Sequence, residues 1–326
     1  MIATTDAQDE RKTTHVARVE QWGQAPRYTT VETTKSSEPP EPDDHDQVRL
    51  KVSATAIHSL VRLRASGTHY SAKTLPHVPG VDGVGTTLEG HGAYFFDFHG
   101  SSGTFGDVVT VPKTNVFPLP PGADPIQIAA LVNPGMSSWL ALRKRAFRLP
   151  PDFSVLILGA TSTSGRLAIP ISRALGAGRV IGCARNPDAL SELELDSTVV
   201  LQDPVTSTDF SCLGHVDVIL DYLYGPPTEH LLHSIKPTTK LTQYINIGGL
   251  AGAKISLQSK VVRSSKLVML GSGIGSCSDE EIREEMPDLI KALVSLPVPK
   301  IQVFRLSEIE TVWGRKVGDA RIVMVP

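Results

Sequence analysis

Apolar and polar positions divide the chain into three stretches. From about His15 to Gly122, short β-patterned runs alternate with Gly and Pro, and Val16 to Glu20, Val48 to Ala54 and Val108 to Val111 read as strands. Between the first two, Glu38-Pro-Pro-Glu-Pro-Asp-Asp-His reads as a polar loop, because repeated Pro removes the donors of a β ladder. An irregular, mostly β domain is predicted. The second stretch changes rhythm. Phe153 to Leu158 is continuously apolar, a turn of small residues follows, and a helical pattern runs through Leu175. Val180–Ala184, Val199–Leu201, Val216–Leu220, Leu241–Ile247 and Leu267–Leu270 then recur as short apolar strands. Such strands spaced by helices predict a parallel sheet covered on both faces, the doubly wound α/β arrangement. From about Ser278 the pattern predicts a helix over Asp279 to Leu296, interrupted by Pro287, and a last strand, Ile322 to Val325. A lone terminal strand needs a partner, so it is expected to return to the first domain's sheet.

The densest chemical signal is the turn after the first strand of the second stretch, Gly159-Ala-Thr-Ser162-Thr163-Ser164-Gly165. A buried strand feeding a tight turn that opens a helix lets backbone N–H groups approach a pyrophosphate. The spacing is not G-x-G-x-x-G. The hydroxyls of Ser162, Thr163 and Ser164 stand between the two glycines as further phosphate donors, and a phosphate-free connection is the alternative. The next strand ends at Ala184 and is followed by Arg185 and Asn186. Dinucleotide folds that prefer NAD usually place an acid there for the ribose 2′-hydroxyl. A guanidinium pairs with a 2′-phosphate instead, so NADPH is favoured over NADH; an exposed loop arginine is the alternative. Two other glycine strings carry less. Gly80-Val-Asp-Gly-Val-Gly lies in the β-rich stretch and shapes a turn and strand. Gly271-Ser272-Gly-Ile-Gly follows a strand without opening a clear helix, yet borders the strand ends where ligands collect.

Composition narrows the classes. The 326 residues suffice for two domains, and 40% apolar with 20% charged residues fits a globular chain. A net charge of −2 argues against a broad nucleic-acid surface. The one dense basic run, Arg143, Lys144, Arg145 and Arg148, reads as a solvated helix end. Three well-separated cysteines, Cys183, Cys212 and Cys277, make a disulfide framework unexpected and favour a reducing compartment. Met1 to Thr14 has no apolar core of the signal-peptide kind, and no run approaches bilayer length, so a cytoplasmic protein without membrane contact is expected. The ten histidines have no cysteine companions at zinc-ligand spacing, and no G-x-S-x-G elbow occurs. With no metal or nucleophile expected, hydride chemistry would depend on the bound cofactor.

The order of Val16-Ala-Arg-Val, Val48-Arg-Leu-Lys-Val-Ser-Ala-Thr-Ala-Ile-His58, Pro79-Gly-Val-Asp-Gly-Val-Gly85, Pro118-Leu-Pro-Pro-Gly122 and Asn133-Pro-Gly-Met-Ser-Ser-Trp, ahead of the small-residue turn, resembles the medium-chain dehydrogenase/reductase superfamily. Its zinc-free quinone-oxidoreductase branch is the nearest resemblance, over nearly the whole chain after His15. The resemblance implies a GroES-like substrate domain (1–122 and 274–326) and an inserted Rossmann NADPH domain (123–273). It also implies a cleft active site between them and a homodimer. It places Asn133, Met136 and Ser137 along the nicotinamide pocket, and Gly248 and Gly249 at a carboxamide-facing strand end. Ser162 and Thr163 stand where the family commonly has glycines. His58 stands where zinc-free members often carry Asn and zinc-dependent ones a ligand Cys. It is either a proton donor to a substrate carbonyl or a packed histidine. Tyr70 is a candidate for substrate contact, with packing as the alternative. The expected reaction is NADPH-dependent reduction of a small electrophile, a quinone or enone. A pathway-specific enoyl reductase and an NADPH-binding protein with little turnover are the alternatives.

Overall fold

The computed structural model describes residues 13–32, 46–69, 72, 74–98, 103–236, 238–318 and 320–326. The polar loop expected at Glu38 to His45, and Tyr70, lie outside the described residues. The chain forms two compact units, Met1–Ala130 with Val298–Pro326, and Leu131–Pro297.

The first unit opens with an antiparallel pair, β1 (Thr13–Arg18) and β2 (Arg27–Glu32). Then come β3 (Gln47–Ile57), helix α1 (Ser59–Ala65), β4 (Asp82–Thr86), β5 (Gly92–Phe96), β6 (Val108–Pro112) and β7 (Val116–Pro118). Helix α2 (Pro125–Leu140) carries the chain into the second unit and runs on as a π-helical turn, Ala141–Arg145. There follow β8 (Phe153–Leu158), α3 (Thr163–Ala174), β9 (Ala177–Ala184), α4 (Pro187–Ser191), β10 (Ser197–Val200), β11 (Val218–Asp221), α5 (Gly225–Ser234), β12 (Thr238–Asn246), α6 (Ser259–Ser264), β13 (Ser265–Gly271) and α7 (Asp279–Ser295). The chain then returns to the first unit as β14 (Ile301–Arg305), α8 (Ile309–Val312) and β15 (Arg321–Val325).

In the first unit the strands order as β14-β15-β3-β4-β5-β7, with β6 also paired to β3. The terminal strand β15 lies antiparallel to β3, with Ile322 opposite Ile57 and Met324 opposite Thr55, as the unsatisfied backbone of a lone strand requires. β2, β5, β7 and β14 escaped the sequence pattern. Ala93 to Phe96 of β5 are all buried, a four-residue apolar run too short for periodicity to mark it as strand.

The second unit is a parallel sheet in the order β10-β9-β8-β11-β12-β13. Alternate residues of β8 feed two separate cores. Val155 and Ile157 join Val180, Val218, Leu220 and Ile245 beneath α3. Leu156 and Leu158 join Ile181, Cys183, Ile219 and Tyr244 beneath Leu231 and Leu232 of α5. This two-sided burial is why the strands read as unbroken apolar runs.

Two expectations need correction. Helix α7 passes through Pro287 without interruption. Ser278 and Glu281 form a capping box at its start, and Ile282, Met286, Leu289, Ile290 and Leu293 bury one face, which outweighs one missing N–H. The basic run is also more than a solvated helix end. The Glu285 carboxylate, 5% exposed, accepts from Trp139 Nε1 at 2.8 Å and Arg143 Nε at 2.9 Å, while Lys144 meets Glu284 at 2.8 Å. Arg145 Nε donates to the Gly271 carbonyl at 2.8 Å. The run therefore clips the end of α2 to α7 and to the end of β13. Among the described residues no helix is long and apolar enough to cross a membrane.

Candidate active site

The order of the parallel sheet reverses between β8 and β11, and ligands of open α/β sheets collect outside the carboxyl ends of strands at such a reversal. Gly159 leaves β8 with φ +87°, a backbone region that disfavours a side chain, and its N–H donates to Cys183 O at 2.8 Å. Ser162 caps α3, its Oγ accepting from Gly165 N at 3.1 Å. Gly165 is a glycine for want of room, since an added Cβ would stand 2.2 Å from Gly159 O. Helix and turn thus touch backbone to backbone. The half-buried Thr163 and Ser164 occupy the first positions of α3, where unpaired N–H groups and the helix dipole favour an anion. From the same helix, Arg166 Nε donates to Thr161 O at 3.2 Å and braces the turn.

Arg185 and Asn186 follow β9 and are exposed. Asn186 caps α4, its Oδ1 accepting from Asp188 N at 3.0 Å and Ala189 N at 3.1 Å. This cap fixes the loop that carries Arg185, and no acid stands at the strand end itself.

Across the reversal, sequence reasoning missed a buried hub. Asp221, fully buried at the end of β11, accepts from Leu223 N at 2.7 Å, Tyr224 N at 3.0 Å and Tyr244 OH at 2.6 Å, and also from Thr228 Oγ1. These bonds hold the turn into α5, where Tyr224 takes an unusual φ of +54°. The signal was an acid closing an otherwise apolar strand, Val218-Ile-Leu-Asp221. Burial pushes the Tyr244 phenol up, helped by the Asp221 charge, so that it stays a donor.

The expected residues of this unit gather along the same sheet edge. Gly248 N donates to Asp221 O at 3.1 Å, and an added Cβ there would stand 2.9 Å from Tyr222 O. Gly249 follows it, Gly271 ends β13, and Ser272 N donates to Asn246 O at 2.8 Å. Asn133, Met136 and Ser137 lie on α2. Ser137 Oγ donates to Pro134 O at 2.7 Å, so the Tyr222 hydroxyl at 3.2 Å is the donor to Ser137. Burial pushes the Tyr222 phenol up to about 12. A cavity of about 190 Å³ lies near the opposite, amino ends of these strands, lined by Leu156, Phe210, Ile219, Leu231 and Thr242 among others. It contains none of the expected residues.

His58 belongs to the other unit and stands at the junction of β3 and α1. Its ring is buried, with Nε2 3.0 Å from Asp82 Oδ1. The second oxygen of Asp82 accepts from Tyr94 OH at 2.9 Å, and both partners are buried. Burial and the adjacent Asp82 push the Tyr94 phenol well up. His58 Nδ1 is buried with no hydrogen-bond partner. Among the described residues no group of three or more His, Cys, Asp or Glu side chains is placed to hold a metal ion.

No protein-family model matches the chain. Among curated proteins it is 34% identical to one from Emericella nidulans named probable NADPH-dependent quinone reductase tdiC, over 96% of this chain and 100% of that one. The chain belongs to the medium-chain dehydrogenase/reductase superfamily, in its quinone-reductase-like branch. Solved structures of superfamily members share its fold. A quinone oxidoreductase from Thermus thermophilus, also solved with NADPH, matches with TM-score 0.71 and 22% identity over 96% of this chain and 100% of that one. A thermostable alcohol dehydrogenase from Pyrobaculum aerophilum matches with TM-score 0.74 and 18% identity over 97% and 100%. The β-rich and parallel-sheet units are this superfamily's GroES-like and Rossmann domains.

Proposed function

We propose that the chain is an NADPH-dependent oxidoreductase that reduces a quinone, enone or related carbonyl-activated small molecule by hydride transfer, without zinc. The observation that carries this reading is the anion cradle at the sheet reversal. Gly159 and Gly165 let the backbone close on a pyrophosphate, and the start of α3 supplies N–H groups and hydroxyls. Arg185 stands beyond β9 with no hydrogen bond or ion pair among the described residues, which suits a 2′-phosphate. The Emericella nidulans relative, named an NADPH-dependent quinone reductase, supports the same cofactor and substrate class.

When bound, NADPH supplies the hydride; this chain's residues hold it and manage charge. Thr163, Ser164 and the turn amides grip the pyrophosphate, and Arg185 clasps the 2′-phosphate. On the same reading, Asn133, Met136, Ser137, Gly248, Gly249, Gly271 and Ser272 border the nicotinamide, and His58 serves the negative charge that develops on the substrate's carbonyl oxygen. Among the described residues His58 and Asp82 have no third ligand-type side chain beside them, which supports the zinc-free reading. A homodimer in the cytoplasm completes the reading.

The deciding experiment is a calorimetric titration with NADPH and NADH of the wild type and Arg185→Ala. The variant should lose NADPH affinity by roughly 10- to 100-fold, the scale of a charge-assisted pair, with NADH binding unchanged. No heat with either coenzyme, or no NADPH oxidation across a panel of quinones and enones, refutes the reading.

A further inference from the structure

Away from the coenzyme edge, the parallel-sheet unit encloses the cavity of about 190 Å³ near the amino ends of its strands. Its body is apolar: Leu156 of β8, Ile219 of β11, Leu231 of α5, Ile235 just beyond α5, and Phe210 and Leu213 from the segment ahead of β11. Protein interiors rarely keep a void much larger than a water molecule, because neighbouring side chains close over it. Here the wall from Phe210 to Val216 is tied down on both sides. Arg179 Nη1 on β9 donates to Leu213 O at 2.8 Å, and His230 Nε2 on α5 donates to Thr208 O at 2.9 Å. Gln202 N donates to Thr208 Oγ1 at 3.0 Å, and the rings of Phe210 and His230 pack 5.5 Å apart. Beyond the wall, Ser154 N and Oγ donate to Asp217 Oδ2 at 2.8 Å and 2.6 Å. Anchored in this way, the wall does not collapse onto the sheet.

The polar side chains of the lining are already committed. Thr242 Oγ1 donates to Val216 O and Ser234 Oγ to His230 O, both at 2.8 Å, and Thr238 Oγ1 accepts from Lys240 N at 3.1 Å. His215 Nε2 lies 3.1 Å from Asp217 Oδ1. Lys236 is exposed at the rim, where its charge reaches Asp209. Hydrogen bonds from Ser211, with a smaller pull from Lys236, hold the Asp209 carboxyl below its ordinary range. A water molecule wants roughly two to four polar partners, and the side chains here are spoken for. An apolar cavity of about 150 Å³ accepts a benzene molecule. Ser211, Gly214, Ser234 and Lys236 are exposed and open the cavity to solvent, with Gly214 turning the rim at φ +65°.

We propose that this cavity is a second ligand site, for an uncharged apolar molecule about the size of one six-membered ring. Apolar walls supply the affinity, and the matched charges at the rim give an anionic or cationic head no unpaired partner. The ligand and a dinucleotide would occupy opposite ends of the same strands, so both bind at once. The site stands whether or not the chain reduces quinones.

The test titrates the full-length chain, methyl-labelled at Ile, Leu and Val, with toluene and follows methyl NMR shifts with and without saturating NADPH. Leu156, Ile219, Leu231 and Ile235 should shift together and saturate, with midpoints that agree within about twofold in the two series, as independent sites require. Benzoate, which carries a charge on a ring of the same size, should need at least about tenfold higher concentration. Ile235→Phe fills the space and should weaken toluene at least about tenfold. Should that variant fail to fold, the wild-type shifts decide alone. Methyl shifts that never saturate, or that fall elsewhere in the chain, overturn the proposal. So does displacement of toluene by NADPH, which would place it in the coenzyme crevice, and so does benzoate binding as well as toluene. A folded Ile235→Phe with the wild-type midpoint also overturns it. None of these outcomes touches the reductase reading, which depends on coenzyme binding and turnover.

Discussion

At the scale of single residues, two positions have consequences set by space and by burial. Gly165 leaves no room for a methyl group, with Gly159 O 2.2 Å from where its Cβ would stand. Gly165→Ala should push α3 off the turn and weaken NADPH binding by on the order of 100-fold, about 3 kcal/mol, as read by nicotinamide fluorescence. His77 is buried against Trp22 at a ring distance of 5.6 Å. Burial, with the nearby Arg64 charge, lowers its imidazole from 6.5 to about 4, so the fold holds the neutral ring. A histidine depressed in this way contributes stability that is complete above its unfolded value and is lost as pH falls from about 6.5 towards 4. The unfolding free energy from urea titrations should therefore drop between pH 7 and 5, by about 1–3 kcal/mol in all. His77→Phe, which keeps the aromatic contact, should flatten that slope; an unchanged slope would place the acid sensitivity elsewhere.

Elements explain which parts of the molecule could be read in advance. The Gly159 to Gly165 turn was legible because its chemistry is local, with strand, glycines, cap and helix start contiguous in sequence. The apolar strands of the parallel sheet were legible because both faces are covered. The His58–Asp82–Tyr94 group was not, because the pairing of β3, β4 and β5 brings its members together and no spacing rule marks them. Tyr222 and Ser137 meet across 85 positions of sequence for the same kind of reason. The clip between α2 and α7 was also hidden, since charge runs read as surface until a partner is known. Burial raises the Glu285 carboxyl, but donors from Arg143, Trp139 and Lys144 outweigh it and hold the group below its ordinary 4.5. A depressed carboxylate stabilises above its unfolded value and loses that contribution as pH falls below about 4.5. Glu285→Gln should cost roughly 1–3 kcal/mol at neutral pH and little at pH 3, measured by chemical denaturation.

At the scale of the whole molecule, the two units have their own buried clusters. Those of the parallel-sheet unit centre on Val155, Ile157, Leu156 and Leu158, whereas the β-rich unit relies on residues such as Val61, Phe105 and Ile322 in one cluster and Leu50 and Phe95 in another. Separate cores are the usual condition for departure from two-state unfolding. Scanning calorimetry should resolve two transitions, and NADPH should raise the one belonging to Leu131–Pro297 more than the other. A single transition that rises as a whole would show the units to unfold together.

The place of β15 between β14 and β3 also has a consequence for how the molecule is made. The parallel-sheet unit is one uninterrupted segment, complete once Pro297 has been synthesised. The other unit, although begun first, waits for the last strand to fill the middle of its sheet. At typical elongation rates the segment from Val298 to Val325 takes roughly 1.5–6 s to make. Until β15 emerges, the β-rich unit has an open β edge at Thr55 to Ile57. That exposed edge is where a chaperone would be needed, and where a truncated message would yield an aggregating product.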